Sequence, residues 1–137
     1  MQPVTREMIT KAVEYIQANT VSSPTIGLVL GSGLNALADL VHAPDVIPYA
    51  DIPFFPRPTV GGHSGRLLIG ELGGTEVCVM QERAHYYEGY SPAQVALPIR
   101  AMQLLDVTTL IFTNAAGGIK EGLKTGDLMA IIDQINL

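Results

Sequence analysis

The first regular pattern along the chain is amphipathic. In TREMITKAVEYIQANT, residues 5–20, Met8, Ile9, Ala12, Val13 and Ile16 recur at helical spacing and predict a helix with Thr5 as its N-cap. Position 8 holds a methionine where a capping box carries Glu or Gln, so no reciprocal cap is expected. SSP then breaks the pattern. TIGLVLG, residues 25–31, is short, apolar and β-branched, and reads as a strand buried on both faces. NALADLV, residues 35–41, reads as helical. Residues 43–65 are rich in Pro and Gly and predict a long loop. RLLIGELGGTEVCVMQ, residues 66–81, predicts a hairpin turning at Gly73 and Gly74. SPAQVALPIRAMQLLD, residues 91–106, predicts a helix with Ser91 as N-cap and Pro92 at its first position, and Pro98 should kink or restart it. TTLIFT, residues 108–113, predicts another buried strand, and LMAIIDQINL, residues 128–137, a last one.

Strands alternating with helices indicate an α/β fold, a mixed, largely parallel sheet flanked by helices, in a single domain over residues 1–137. In such sheets ligands bind outside the carboxyl ends of the strands, and three strand ends here carry chemistry. Gly31-Ser32-Gly33-Leu34 allows close backbone approach and puts a hydroxyl beside the N–H groups of a helix start. It matches neither a dinucleotide fingerprint nor a Walker loop, and an ordinary strand-to-helix turn reads equally well. QERAHYYEGY follows the next strand. Arg83 and His85, two residues apart, share one side of an extended chain, and Tyr87 continues the alternation. The Arg fork suits phosphate oxygens, although a surface arginine beside core aromatics fits the same letters. NAAGG, after the third strand, leaves room for a flat ligand and exposes backbone N–H groups, or forms a close-packed turn. His63 sits in the loop segment GGHSGRL, where it could reach an anion as a lid or remain solvated; His42 reads as surface. No Cys or His pair has metal-ligand spacing, and no nucleophile elbow or Ser-His-Asp set is seen. Together the three ends converge on a phosphate site made of Ser32, Arg83 and backbone amides, with a His and a Tyr beside it.

Composition narrows the reading. Hydrophobic residues make up 47% of 137, enough for a core. Eight basic against thirteen acidic side chains give a net charge of −5, which argues against a general binder of nucleic acid or anionic membrane but leaves room for a local basic pocket. The single cysteine, Cys78, lies in a strand-like run and reads as a buried thiol, in keeping with a reducing cytoplasm. The polar start lacks the apolar core of a signal peptide, and no apolar run approaches the ~18 residues of a membrane span.

GLVLGSGL, GGHSGRL, the block Arg83-Ala84-His85-Tyr86-Tyr87-Glu88-Gly89-Tyr90 and TNAAGG, in this order, resemble the trimeric class of purine nucleoside phosphorylases over nearly the whole chain. Ser32 and TNAAGG favour this branch over the methylthioadenosine phosphorylases, which share the fold but usually carry Thr in the Gly-rich turn. The resemblance implies that Ser32, Arg83 and the backbone N–H of Ala115 bind phosphate, with His63 contacting it from its loop. It implies that His85 stands catalytically between phosphate and ribose, that Tyr87 contacts the ribose, and that Ala116 and Gly117 wall the purine. The implied reaction is reversible phosphorolysis of purine (deoxy)ribonucleosides to free base and (deoxy)ribose 1-phosphate. Inorganic phosphate is the co-substrate, no metal or organic cofactor takes part, and the family's enzymes are homotrimers. The family's purine-recognising residues come from a C-terminal portion beyond position 137. The resemblance is therefore to the N-terminal half, and a fragment or truncation with exposed apolar sheet surface is expected. The alternative is a non-catalytic half-domain that binds phosphate or a phosphosugar, or serves assembly. Where the family usually reads QGRFH, Glu82 and Ala84 replace the Gly and the aromatic. A Glu82 facing the pocket would repel phosphate or neutralise Arg83, whereas strand alternation allows it to face the other way. Loss of the aromatic at 84 would loosen packing behind the loop.

Overall fold

The structure is a computed structural model that describes residues 3–59 and 65–135. Helix α1, Arg6–Ala18, buries Ile9, Ala12, Val13 and Ile16, the stripe its spacing predicts. Its N-terminus corrects one expectation. Thr5 Oγ1 accepts from the Met8 amide at 3.3 Å, and Met8 Sδ accepts from the Thr5 amide at 3.5 Å. The thioether, a weak acceptor, closes the box that a carboxamide or carboxylate usually closes.

Five strands form one sheet: β1 (Ile26–Val29), β2 (His42–Pro48), β3 (Arg66–Leu72), β4 (Thr75–Gln81) and β5 (Thr109–Phe112), in the order β2-β3-β4-β1-β5. The pairs β4–β1 and β1–β5 are parallel, and β2–β3 and β3–β4 antiparallel, so β3 alone runs against the other four. The β3–β4 hairpin turns where predicted, on Gly73 and Gly74 with φ of 60° and 81°, the pair of left-handed residues a tight hairpin turn requires.

Both faces of the sheet centre are covered, which is why β1 reads as a continuous apolar run. Val29, Leu67, Ile69, Cys78 and Met80 pack under α1 and α3 (Leu97–Leu104), whose Leu97, Ala101 and Met102 are buried. Leu28, Leu30, Leu68, Val77 and Val79 pack on the opposite face with Ala38 and Val41. The predicted helix over 91–106 is split. In α2 (Pro92–Val95) Ser91 Oγ accepts from the Gln94 amide and Gln94 Oε1 accepts from the Ser91 amide, and α3 restarts with Pro98 in its first turn, as the missing proline N–H dictates.

Three expectations fail. The loop over 43–65 contains β2, an edge strand whose register shifts between His42 and Asp45, around Pro44. Edges and bulges are where a strand tolerates proline, so the prolines that read as a loop mark an edge instead. Beyond it, Tyr49, Ile52 and Phe55 are buried in the core. Second, β5 is not buried: Ile111 is 47% and Phe112 60% exposed, so apolar sheet surface is open as the resemblance implied. Third, residues 128–135 form no strand. They are exposed throughout, with Leu128 at 94%. An apolar run becomes a strand only where a neighbour pairs with its backbone, and none does so here among the described residues. The helix expected at 35–41 is a 3₁₀ helix, Asn35–Leu40. No helix among the described residues is long and apolar enough to cross a membrane.

Gly31, two residues beyond the end of β1, is buried, and a β-carbon on it would lie 2.3 Å from Thr113 O and 2.8 Å from Asn114 Cα, both main-chain atoms that cannot rotate away. Gly31→Ala should therefore destabilise the fold by roughly 1–3 kcal/mol, the range of overpacking, read as a lowered midpoint in urea. An unchanged midpoint would show that the ends of β1 and β5 are not as tightly apposed as described.

Candidate functional site

Because β1, β4 and β5 are parallel and in register, with Val29 level with Met80 and Phe112, their carboxyl ends open at one rim of the sheet. The three segments singled out from the sequence follow those ends. Thr113 stitches the first to the third. Its Oγ1 accepts from the Gly31 amide at 2.8 Å and donates to Val29 O at 3.1 Å, while its own amide donates to Val29 O at 3.0 Å. Arg83 stitches the second to the third, its Nη1 donating to Thr113 O at 3.3 Å. That contact uses one nitrogen of the guanidinium. Two ion pairs are present among the described residues, Lys11–Glu7 and Arg66–Asp39, and neither involves Arg83. Its remaining donors are available to an anion at the rim.

Ser32 is exposed in the 31–34 turn, and Ala115, Ala116 and Gly117 are exposed after β5. His85 is half-buried, and its ring stacks on that of Tyr87, centroids 4.9 Å apart and planes 10° off parallel. The pair therefore meets as expected, but not by strand alternation. Glu82 leaves β4 with φ 68°, and Tyr86–Glu88 form a 3₁₀ turn that brings Tyr87 back over His85. Tyr87 is 72% exposed. His63 lies outside the described residues.

The turn at 85–88 is held by a residue that the sequence reading gave no role. Glu88 Oε1 accepts from the His85 amide at 2.6 Å, and Glu88 Oε2 accepts from the Thr59 amide at 2.5 Å and the Thr59 hydroxyl at 2.6 Å. Partial desolvation works against ionisation, but the hydrogen bonds from Thr59 and His85 outweigh it and hold Glu88 below the usual carboxylate range. Tyr90 OH accepts from the Arg57 amide at 3.0 Å and donates to Arg57 O at 2.9 Å. Together Glu88 and Tyr90 fasten Thr59 and Arg57 to the segment that carries the His85 turn. An acid three residues after His85, at capping-box spacing, was the available signal. Thr113 also lacked a role, although a hydroxyl ending an apolar strand was visible in the letters.

Glu82 turns away from Arg83. Asn35 Nδ2 donates to Glu82 Oε1 at 3.3 Å, and the Tyr49 hydroxyl donates to Glu82 O at 2.9 Å. Burial, with smaller contributions from Cys78 and Glu82, raises the Tyr49 phenol well above its ordinary value, so it stays a donor. Burial also pushes the Cys78 thiol up to about 12, which keeps it protonated and inert, as a core thiol should be. Ala84 is 4% exposed, covered despite its small size. No group of three or more metal-ligating side chains is found among the described residues.

The sequence profile of the phosphorylase superfamily matches residues 25–137. Purine nucleoside phosphorylase 1 of Geobacillus stearothermophilus is 52% identical over 131 residues, covering 96% of this chain and 48% of the relative. A purine nucleoside phosphorylase solved in complex with ribose-1-phosphate superposes with a TM-score of 0.84 at 50% identity, over 93% of this chain and 47% of that one. The Schistosoma mansoni purine nucleoside phosphorylase in complex with inosine gives 0.81 at 50% identity, over 90% and 43%. The chain thus spans about half the length of the relatives it matches.

A carboxylate held below its ordinary pKa binds fewer protons folded than unfolded, so its contribution is complete above the unfolded value and disappears as pH falls through the folded one. Acidification below the ordinary glutamate value of about 4.3 should release Thr59 from Glu88. The Thr59 amide should then exchange faster with solvent, and Glu88→Gln should flatten that acid step. A step that persists undiminished in the variant would assign it to another group.

Proposed function

The chain belongs to the phosphorylase superfamily, and on that premise we propose that it carries the phosphate and ribose half of a purine nucleoside phosphorylase site. The reaction is reversible phosphorolysis of purine (deoxy)ribonucleosides to free base and (deoxy)ribose 1-phosphate. One observation carries the reading: Arg83, anchored on Thr113 O at 3.3 Å and without an ion pair among the described residues, stands at the rim where the three strand ends meet. Relatives at 50% identity are solved with ribose-1-phosphate and with inosine, which supports that ligand chemistry.

In this reading the Arg83 fork, the Ser32 hydroxyl and the Ala115 amide hold the phosphate, and the resemblance adds His63, outside the described residues, as a further phosphate contact. Cleavage of the glycosidic bond develops positive charge on the ribose. A phosphate held beside the anomeric carbon stabilises that charge and attacks from a fixed position. Donors from three separate strand ends grip the anion at its periphery and leave one oxygen free to react. His85 stands between phosphate and sugar. Its stacking on Tyr87 fixes the ring plane, so a ring nitrogen meets phosphate or a sugar hydroxyl without rotational search. Tyr87 lies against the ribose, and Ala116 and Gly117, small and exposed, form a wall for the flat base. Inorganic phosphate is the co-substrate and no organic cofactor takes part. Assembly as a homotrimer rests on the resemblance alone, and residence in a reducing cytoplasm is in keeping with the free thiol of Cys78.

The test is phosphorolysis of inosine by the protein expressed from its full reading frame. Arg83→Ala should raise the phosphate KM about tenfold or more, as expected when hydrogen bonds to a charged group are lost, and leave the nucleoside KM nearly unchanged. Equal changes in both would contradict the phosphate role. Phosphate binding without turnover on any purine nucleoside would favour a non-catalytic phosphate or phosphosugar binder.

A further inference from the structure

Glu82 combines two unfavourable features. Its φ of 68° lies in the left-handed region, where any residue with a β-carbon is strained. Its Oε2 is buried without a hydrogen-bond donor, and so is Oδ1 of its partner Asn35. A glycine would relieve the first and remove the buried Oε2, at the cost of the acceptor for Asn35 Nδ2, so this side chain is a poor source of stability. What it does supply is a link. Asn35 Nδ2 donates to Glu82 Oε1 at 3.3 Å, and Asn35 O accepts from Gln81 Nε2 at 3.1 Å. Gln81 Oε1 accepts from Arg66 Nε at 2.5 Å, and Arg66 Nη2 lies 3.9 Å from Asp39 Oδ1. The chain of contacts leaves the 3₁₀ helix Asn35–Leu40 at one end and returns to it at the other. That helix has no side-chain cap of its own, and it begins directly after the Ser32 turn. Glu82 directly precedes Arg83. The Asn35–Glu82 contact therefore spans the two segments that bring a hydroxyl and a guanidinium to the rim.

We infer that Glu82 is a positioning residue for the anion site. Through Asn35 it sets the spacing between the Ser32 turn and Arg83, and so the width of the seat, without touching the anion itself. The inference rests on the phosphate reading of that rim. It also gives the substitution a direction: the carboxylate engages Asn35 and leaves Arg83 to its ligand.

The protein expressed from its full reading frame is compared with Glu82→Gly and Glu82→Gln, using inorganic phosphate alone as the probe in calorimetry. Glycine adopts φ 68° without strain, so that variant folds. Glutamine keeps an acceptor for Asn35 Nδ2 and adds a donor that Asn35 Oδ1 lacks. Glu82→Gly should weaken phosphate binding about two- to tenfold, the range of one net hydrogen bond. Its melting temperature should hold or rise, and amide exchange over residues 32–35 should quicken. Glu82→Gln should keep both the affinity and the slow exchange. Asn35→Ala should reproduce the glycine variant, and combining the two should add nothing further. Unchanged phosphate binding in Glu82→Gly overturns the inference, as does a glutamine variant as weak as the glycine one. Ser32→Ala and Arg83→Ala are measured alongside. If neither weakens phosphate binding, the phosphate reading itself fails; if both do while Glu82→Gly does not, only the role of Glu82 falls.

Discussion

The carbonyl oxygen of Thr113 lies where a β-carbon on residue 31 would have to be, 2.3 Å from its ideal position. This close approach of main chain to main chain is what draws the three strand ends into one site. It lets the Gly31 amide reach Thr113 Oγ1, and it sets Thr113 O at the height where Arg83 can donate to it. A side chain at 31 would push the Ser32 turn away from the segment that follows β5. The parallel register makes the ends level, but register alone leaves adjacent strands at ordinary sheet spacing. The additional closeness beyond the last ladder bond comes from a missing side chain and a bridging hydroxyl.

The charge arrangement at the rim follows from the same framework. Two carboxylates, Glu82 and Glu88, lie within five residues of Arg83 in a chain whose net charge is −5, and either could have neutralised it. Each is engaged elsewhere: Glu82 by the amide of Asn35, Glu88 by Thr59 and the His85 amide. Tyr49 and Cys78, the titratable groups beneath, are held neutral by burial. A cation is thereby left facing the rim of an acidic protein, by directing the nearby anions into the scaffold. A basic composition is not needed for a local anion seat, because field strength at close range depends on where the nearby charges are directed.

Much of this was legible in the letters, and the failures have physical causes. The β3–β4 hairpin, α1, the split at Pro98 and the identity of the three strand ends follow from periodicity and from Gly and Pro chemistry, which are local properties. β2 was missed because Pro44 and Pro48 suppress a strand signal unless one knows the strand is an edge, and edge position is a tertiary fact. Residues 128–137 read as a strand because they are apolar, but pairing depends on a neighbour that no local signal reports. Thr113, Asn35 and Glu88 act through partners 82, 47 and 29 residues away, and nothing in a single sequence encodes those distances. GSGL, QERAH and NAAGG each fit an ordinary turn when read alone; only together do they point to a phosphate site of Ser32, Arg83 and backbone amides, and the expected roles of His63, Ala115, Ala116 and Gly117 come through the resemblance.

The departure at position 82 shows what the backbone adds to a family pattern. Read as letters, QERAH against QGRFH suggests a carboxylate intruding on a phosphate site. The φ of 68° explains the glycine usual in the family: the chain turns through the left-handed region as it leaves β4 so that Arg83 can swing toward Thr113. Glutamate accepts the same turn because two contacts hold it there, Tyr49 on its carbonyl and Asn35 on its carboxylate. The conformation that carries Arg83 is held here by contacts rather than by backbone freedom. A glycine reaches that shape through freedom and a glutamate through constraint. The two differ in how firmly the Ser32 turn is tied to the Arg83 segment, and that difference would be expressed in the proposed anion seat rather than in the fold.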